Sequence, residues 1–309
     1  MSIDYMVPTP IIKLGDYNSN QLWIKREDLI PFSFGGNKAR KALLFFEEIN
    51  NNNCDSVVTY GSSSSNHCRV ISNLCKRYNL PCYIISPLEA SEETYNSRMI
   101  EMFGAEVTTV PVCEVHDTIQ NKIGELQARG LKPYFIEGGG HGNLGTEAYV
   151  QCYEEIKEYQ RQTSVKFDYI FFASGTGTTQ AGLVCGKINN KDDTKIIGIS
   201  IARKNPRGRN IVVESIKSYF NGKVDMRIID DSTVFIDDYA NAYGVENAQE
   251  SEIIKSVLEQ YGIPLDSTYT GKAFMGMDSY IKQNMIENKN ILFIHTGGTP
   301  LFFDYLNKR

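Results

Sequence analysis

A lysine amine becomes a nucleophile when it is held neutral, and Lys38 stands where that can happen. It follows two glycines and an asparagine in FGGNKARK, Phe34 to Lys41, at the start of a segment with helical spacing. The positive end of a helix dipole, with Arg40 and Lys41 alongside, predicts a lowered pKa and a larger neutral fraction, as Schiff-base chemistry requires. A lysine on a basic helix start can equally face solvent and do nothing. A second run, SGTGTTQAG from Ser174 to Gly182, directly follows DYIFFA. Glycines let backbone N–H groups wrap an oxyanion and threonines add hydroxyls, so Gly175, Thr176, Gly177, Thr178 and Thr179 outline a phosphate cup. The run lacks the P-loop lysine and the acid of a dinucleotide fingerprint. A glycine turn needed only for tight packing looks the same.

A third run is YGSSSSNHCR, Tyr60 to Arg69. Four consecutive serines exceed what one helix cap needs, so Ser64, Ser65, Asn66 and His67 are candidates for holding a carboxylate or a ring oxygen. At the chain end, HTGGTP places the hydroxyl of Thr296 before a glycine pair, where it can meet a heteroaromatic nitrogen; alone, the run is a turn. Tyr269 in STYTGKAF can serve packing or acid–base chemistry. His116 in a charged helix and His295 at a strand end, held there by a hydrogen bond, are assigned no catalysis.

Strand-length runs that end in turns must position these groups. They are Leu22 to Lys25, Ser56 to Tyr60, Cys82 to Ser86, Glu106 to Val110, Tyr134 to Ile136, Tyr169 to Ala173, Ile196 to Ile201 and Ile291 to Thr296. Helical spacing fills the gaps, as from Lys38 to Ile49 and after Asn66. This alternation predicts an α/β fold with a largely parallel sheet. Helix starts directly after polar turns give three potential anion sites. The polar stretch Asn221 to Ser232 reads as a surface crossing.

The chain has 309 residues, 41% apolar and 22% charged, with 32 Lys and Arg against 37 Asp and Glu, a net charge of −5. Disorder and coiled coil do not fit that composition, and without a basic excess neither nucleic acid nor an anionic membrane is an expected partner. Seven scattered cysteines form no CxxC or Cys/His pair, so no metal site is expected and a reducing, cytoplasmic setting fits. Met1 to Pro10 has no basic region leading into an apolar stretch, so no leader or membrane span is expected.

In their joint order, TPIIKL, WIKREDL, FGGNKARK, SSNHCR, SGTGTTQAG, YTGKAF and HTGGTP resemble the fold-type II pyridoxal phosphate enzymes of the tryptophan synthase β family. The resemblance covers almost the whole chain and is nearest to the branch holding D-cysteine desulfhydrase and 1-aminocyclopropane-1-carboxylate (ACC) deaminase. It implies two open, twisted, mostly parallel sheets flanked by helices, with pyridoxal 5'-phosphate between a large domain (1–47 and 151–309) and a small one (48–150). Lys38 then carries the cofactor and moves the α-proton, Asn66 meets the ring oxygen, and Gly175 to Thr179 hold the phosphate. Thr296 faces the pyridine nitrogen, Ser65 lies near the substrate's carboxylate and α-carbon, and Tyr269 lies over the site.

A neutral hydroxyl at Thr296 cannot keep that nitrogen protonated as a carboxylate would, which favours expulsion of a β-substituent. The expected activity is α,β-elimination from a small amino acid, D-cysteine first, giving pyruvate, sulfide and ammonia. ACC deamination, a related β-replacement, and a non-catalytic cofactor- or amino-acid-binding protein are the alternatives. The resemblance also implies a homodimer. Three departures bear on the substrate. Ser64 stands where the branch often has glutamine, Gly140 and His141 replace serine and asparagine, and Leu301 to Phe303 are bulkier than usual. His141 is therefore a candidate substrate contact.

Overall fold

The computed structural model describes residues 8–239 and 248–308, so residues 1–7 of the amino-terminal stretch lie outside the described residues. The apolar runs build two sheets. The larger has the order β1 (Ile11–Tyr17), β2 (Asn20–Arg26), β10 (Asn290–His295), β7 (Tyr169–Ser174), β8 (Lys195–Ser200) and β9 (Val234–Ile236). The smaller has the order β5 (Glu106–Val110), β4 (Cys82–Pro87), β3 (Ser56–Tyr60) and β6 (Pro133–Ile136). β1 and β2 pair antiparallel, and every other neighbouring pair is parallel.

Strand residues alternate between faces, and in the large sheet both faces are covered. Trp23, Ile170, Phe172, Leu292 and Ile294 pack on one side, against α5 (Asn143–Thr163), α6 (Thr178–Asn189), α7 (Arg207–Tyr219) and α8 (Met226–Ser232). Leu22, Ile24, Phe171, Ile291 and Phe293 pack on the other, against α9 (Ala248–Tyr261), α10 (Thr270–Gln283) and α11 (Thr299–Asn307). The small sheet carries α1 (Asn37–Asn51), α2 (Asn66–Tyr78), α3 (Tyr95–Met102) and α4 (Val115–Ala128). Residues 47 and 150 thus fall inside helices. Phe45, Phe46 and Ile49 of α1 join the small sheet's core, whereas Val150 of α5 joins the large one's.

All eight expected strands form, with ends moved by a residue or two. Two more exist. β1 was hidden because Gly15, at φ 107, sits at a bulge in its pairing with β2 and breaks the alternation. β9 is only three residues long. The stretch Asn221 to Ser232 is not a plain surface crossing, because its second half is α8, capped by Asp225 and anchored by buried Ile229. Thr296 lies just past the end of β10 rather than within the strand.

Candidate active site

Three helix starts meet where the two sheets face each other. Asn37, first residue of α1, donates its backbone N–H to the Thr296 carbonyl at 2.9 Å, and its Nδ2 to Thr179 Oγ1 of α6 at 3.1 Å. Gly36 takes φ +93, and a Cβ there would stand 2.7 Å from the Thr296 carbonyl oxygen. FGGN and HTGG therefore fit together only as glycine turns. Gly177 caps α6 at φ +102, and Gly175 and Thr176, just before it, line the cleft. His295 is held at its strand end as expected. Its Nε2 donates to the Pro264 carbonyl at 2.7 Å, and its Nδ1 accepts the Gly297 N–H at 3.2 Å.

A cavity of about 310 Å³ brings together Lys38, Ser65, Asn66, His67, Gly175, Thr176 and Tyr269, with Tyr60 and Arg203 at its wall. Thr178 and Thr179 are buried at the α6 start, beside rather than on that lining. The serines divide. Ser65 caps α2 by accepting the Cys68 N–H at 3.2 Å, whereas Ser63 accepts the Glu92 N–H at 2.9 Å and donates to the Ala90 carbonyl at 2.9 Å. Ser64 lines a different cavity, next to Thr94 and Asp304. His141 lines a neighbouring chamber of about 400 Å³, with Glu137 and Glu214, and the two chambers share Tyr60, Gly138, Thr176 and Arg203 as their common wall. Burial lowers the His141 pKa, with Lys41 and Arg203 acting in the same sense, so its ring is neutral.

Charge is arranged in two contrasting ways. Away from the cavity, Glu27 takes Arg40 Nη2 at 2.8 Å, Glu155 takes Lys25 Nζ at 2.6 Å, and Arg40 Nη1 reaches Glu155 at 2.8 Å. Arg40 is thereby spent on acids and does not depress Lys38. The pKa of Lys38 is indeed lowered, to about 8, but the cause is desolvation inside the cleft.

Among the described residues, the cations around the cavity have no acids paired with them. Lys41 Nζ is buried, donates to Thr178 Oγ1 at 2.7 Å, and has a pKa pushed well down by burial and by Lys38. Arg69 is buried and lowered to about 9 by desolvation. His67 is lowered to about 3 by burial, then Lys38 and Lys41, and is neutral. Thr59 gives its hydroxyl proton to the Ile136 carbonyl at 2.7 Å, so His67 Nε2–H donates to Thr59 Oγ1 at 2.8 Å. Among the described residues no carboxylate neutralises Lys41 or Arg69, so this cleft suits an anionic ligand.

Lys41, Arg69, Asn96 and Asp266 were not singled out from the sequence. Lys41 and Arg69 had a signal, since each lies three residues after a named candidate on a helix and shares its face. Buried Asp266 accepts the N–H groups of Thr268, Tyr269 and Thr270 at 2.9, 2.8 and 3.0 Å, and the Thr270 hydroxyl at 2.7 Å. It thereby fixes the turn that presents Tyr269.

A cup of glycine turns and helix starts, uncompensated cations, and a lysine depressed toward neutrality define an enzyme that carries an anionic carbonyl cofactor on a lysine. The pattern described as "Pyridoxal-phosphate dependent enzyme" matches residues 4–297, and the chain belongs to that family. It is 32% identical to a D-cysteine desulfhydrase of Serratia proteamaculans (strain 568), across 96% of this chain and 93% of that one. A D-cysteine desulfhydrase of Salmonella paratyphi A is 30% identical across 96% of this chain and 94% of its own. A crystal structure of an ACC deaminase homologue superposes with a TM-score of 0.86 at 29% identity, covering 98% of this chain and 93% of that one. The fold is thus the fold-type II arrangement of two mostly parallel sheets that the motif order implied, and the cofactor is pyridoxal 5'-phosphate.

Proposed function

We propose that this lyase carries out α,β-elimination on D-cysteine, which with water gives pyruvate, sulfide and ammonia. The supporting observation is that Lys38, depressed to about 8, shares one cavity with Ser65, Tyr269 and the glycine cup. The relatives named D-cysteine desulfhydrase support the choice of substrate. At pH 7 an amine of pKa 8 is neutral in roughly one molecule in ten, against roughly one in three thousand at the ordinary value.

When bound, pyridoxal phosphate supplies a carbonyl for the substrate's amine and a conjugated ring that takes up the electron pair left at the α-carbon. Gly175, Thr176, Gly177, Thr178 and Thr179, with Lys41, would hold the phosphate. Asn66 would meet the ring oxygen and Thr296 the ring nitrogen. Ser65 holds the substrate carboxylate, flanked by His67, while Ser64 faces the separate cavity beside Thr94 and His141 lies behind the shared wall. Lys38 Nζ takes the α-proton, and the Tyr269 hydroxyl gives its proton to the departing sulfur. We further place the smaller domain at residues 48–150 in outline, with its packing reaching back through α1 and stopping short of α5, and the active form as a cytoplasmic homodimer. The free state of all seven cysteines suits a reducing compartment.

The test is product analysis with D-cysteine, L-cysteine, β-chloro-D-alanine and ACC, joined to borohydride reduction and mapping of the labelled lysine. Sulfide and pyruvate from D-cysteine, with label on Lys38, are expected. 2-Oxobutanoate from ACC without sulfide from D-cysteine would replace this reading by deamination, the second reading that the ACC deaminase homologue favours. No turnover of any β-substituted alanine would defeat elimination.

A further inference from the structure

We infer that Arg69 is a positioning residue that fixes and polarises Asn66, and so tunes the cofactor's ring oxygen from behind. This rests on the proposed role of Asn66. Arg69 is buried on α2, one turn after Asn66. Its Nη1 donates to Asn66 Oδ1 and, at 2.8 Å, to Asn96 Oδ1. Asn96 returns Nδ2 to Asn66 Oδ1 at 3.0 Å and to the Ser64 carbonyl at 2.7 Å. The far side of the guanidinium donates to the Ser33 carbonyl at 2.9 Å.

Two donors therefore converge on one oxygen of Asn66. A flipped amide would set its NH₂ against both, so the flip is excluded and Nδ2 is left for the cavity that Asn66 lines. The same network ties that amide to Ser64, in the loop that includes Ser65. Charge acts in the same direction as geometry. The titratable group facing Arg69 is Tyr269, and the Phe34 ring centre lies 6.0 Å from its Cζ. Lys41 and His67 face Lys38. An unpaired guanidinium in a dry interior, one amide away from the ring oxygen, makes Asn66 a stronger donor and favours negative charge there. It also disfavours a proton on the nitrogen joining Lys38 to the cofactor.

The experiment titrates the visible absorption band of the cofactor-loaded protein against pH, and measures the cofactor dissociation constant. The variants are Arg69→Met, Asn66→Ala, the double variant, Arg69→Lys and Asn96→Ala. Arg69→Met should raise the band's midpoint by about one pH unit and weaken cofactor binding about tenfold. Asn66→Ala should give most of that shift, and Arg69→Met in the Asn66→Ala background should add only the small through-space part of the charge, because the main effect passes through one amide. Arg69→Lys, which keeps the charge but loses the fork, should fall between wild type and Arg69→Met. Asn96→Ala removes one of the two holders without changing charge and should give a smaller shift of the same sign, which keeps the test open if Arg69→Met does not fold. A full Arg69→Met shift in the Asn66→Ala background, or a lowered melting temperature with an unmoved midpoint, overturns the inference. An Asn66→Ala protein with unchanged midpoint and affinity overturns the assignment of Asn66 itself.

Discussion

Replacing Lys41 by methionine should move two measurable quantities in opposite directions. The Lys41 amine is buried, its pKa is pushed well down by burial and by Lys38, it has no carboxylate among the described residues, and it spends its hydrogen bond on Thr178 Oγ1 at 2.7 Å, where the glycine cup begins α6. An amine so placed costs stability in either form, as a charge without a partner or as a base stripped of its proton, until an anion arrives to restore the charge. Methionine fills a similar volume without charge, and Thr178 keeps its contact with the Gly140 carbonyl at 3.3 Å. The cofactor-free variant should therefore melt at the wild-type temperature or above it. The loaded variant loses a charge-assisted hydrogen bond to phosphate, about 1.5–3 kcal/mol, or roughly 10- to 150-fold in cofactor affinity. Thermal melts with and without cofactor, together with equilibrium dialysis, read both quantities. A cofactor-free protein that melts lower, with unchanged affinity, would show that Lys41 serves the fold and not the phosphate.

Three further outcomes can be checked directly. Burial would raise the carboxyl of Glu27, but Arg40 and Lys25 bring it down to about 2 from the ordinary 4.5. A folded pKa below the unfolded one gives stability that is present above the ordinary carboxylate range and lost as pH falls toward 2, roughly 3 kcal/mol in all. Urea unfolding across acid pH should show that slope flattened in Glu27→Gln, and equal slopes would refute the coupling. Asp266→Ala frees the amides that present Tyr269 and should lower kcat on the order of 100-fold with cofactor binding retained, while Asp266→Asn recovers much of it; kcat within twofold would remove Asp266 from the site. Thr296→Glu should retain the cofactor yet divert turnover from elimination to side reactions, and unchanged product partitioning would place Thr296 away from the ring nitrogen.

The parts of this molecule legible in the sequence are those whose signal is local. Strand runs ending in glycine or serine turns located β3 and β7, and with them the starts of α2 and α6, whereas the run ending at β10 read only as a strand and a turn and left α11 unseen. Lys38 was legible as a depressed amine, though for the wrong physical reason. The acids that capture Arg40 include Glu155, far along the chain on α5, and no local pattern reveals that pairing. Asn96 was illegible for the same reason, since it meets Asn66 only because α3 packs on α2. Asp266 did leave a trace, an acid just ahead of two threonines, but such turns are common and the trace was not distinctive. Of the four serines, composition suggested a shared task, whereas packing gives Ser63 to the loop before α3 and leaves Ser65 at the cavity.

The position of β10 has a consequence for how the protein is made. It is the last strand among the described residues, yet it sits inside the large sheet, with Phe293 beside Ile24 of β2 on one side and beside Phe171 of β7 on the other. While the ribosome is still at work, β2 and β7 must wait with one edge open, although every strand of the small sheet has already emerged. The HTGG turn that receives Asn37 follows immediately on β10. On the proposed site, cofactor capture would therefore wait until residues 296–298 have been made, and a product stalled before them would stay unloaded, with two strand edges exposed to quality control.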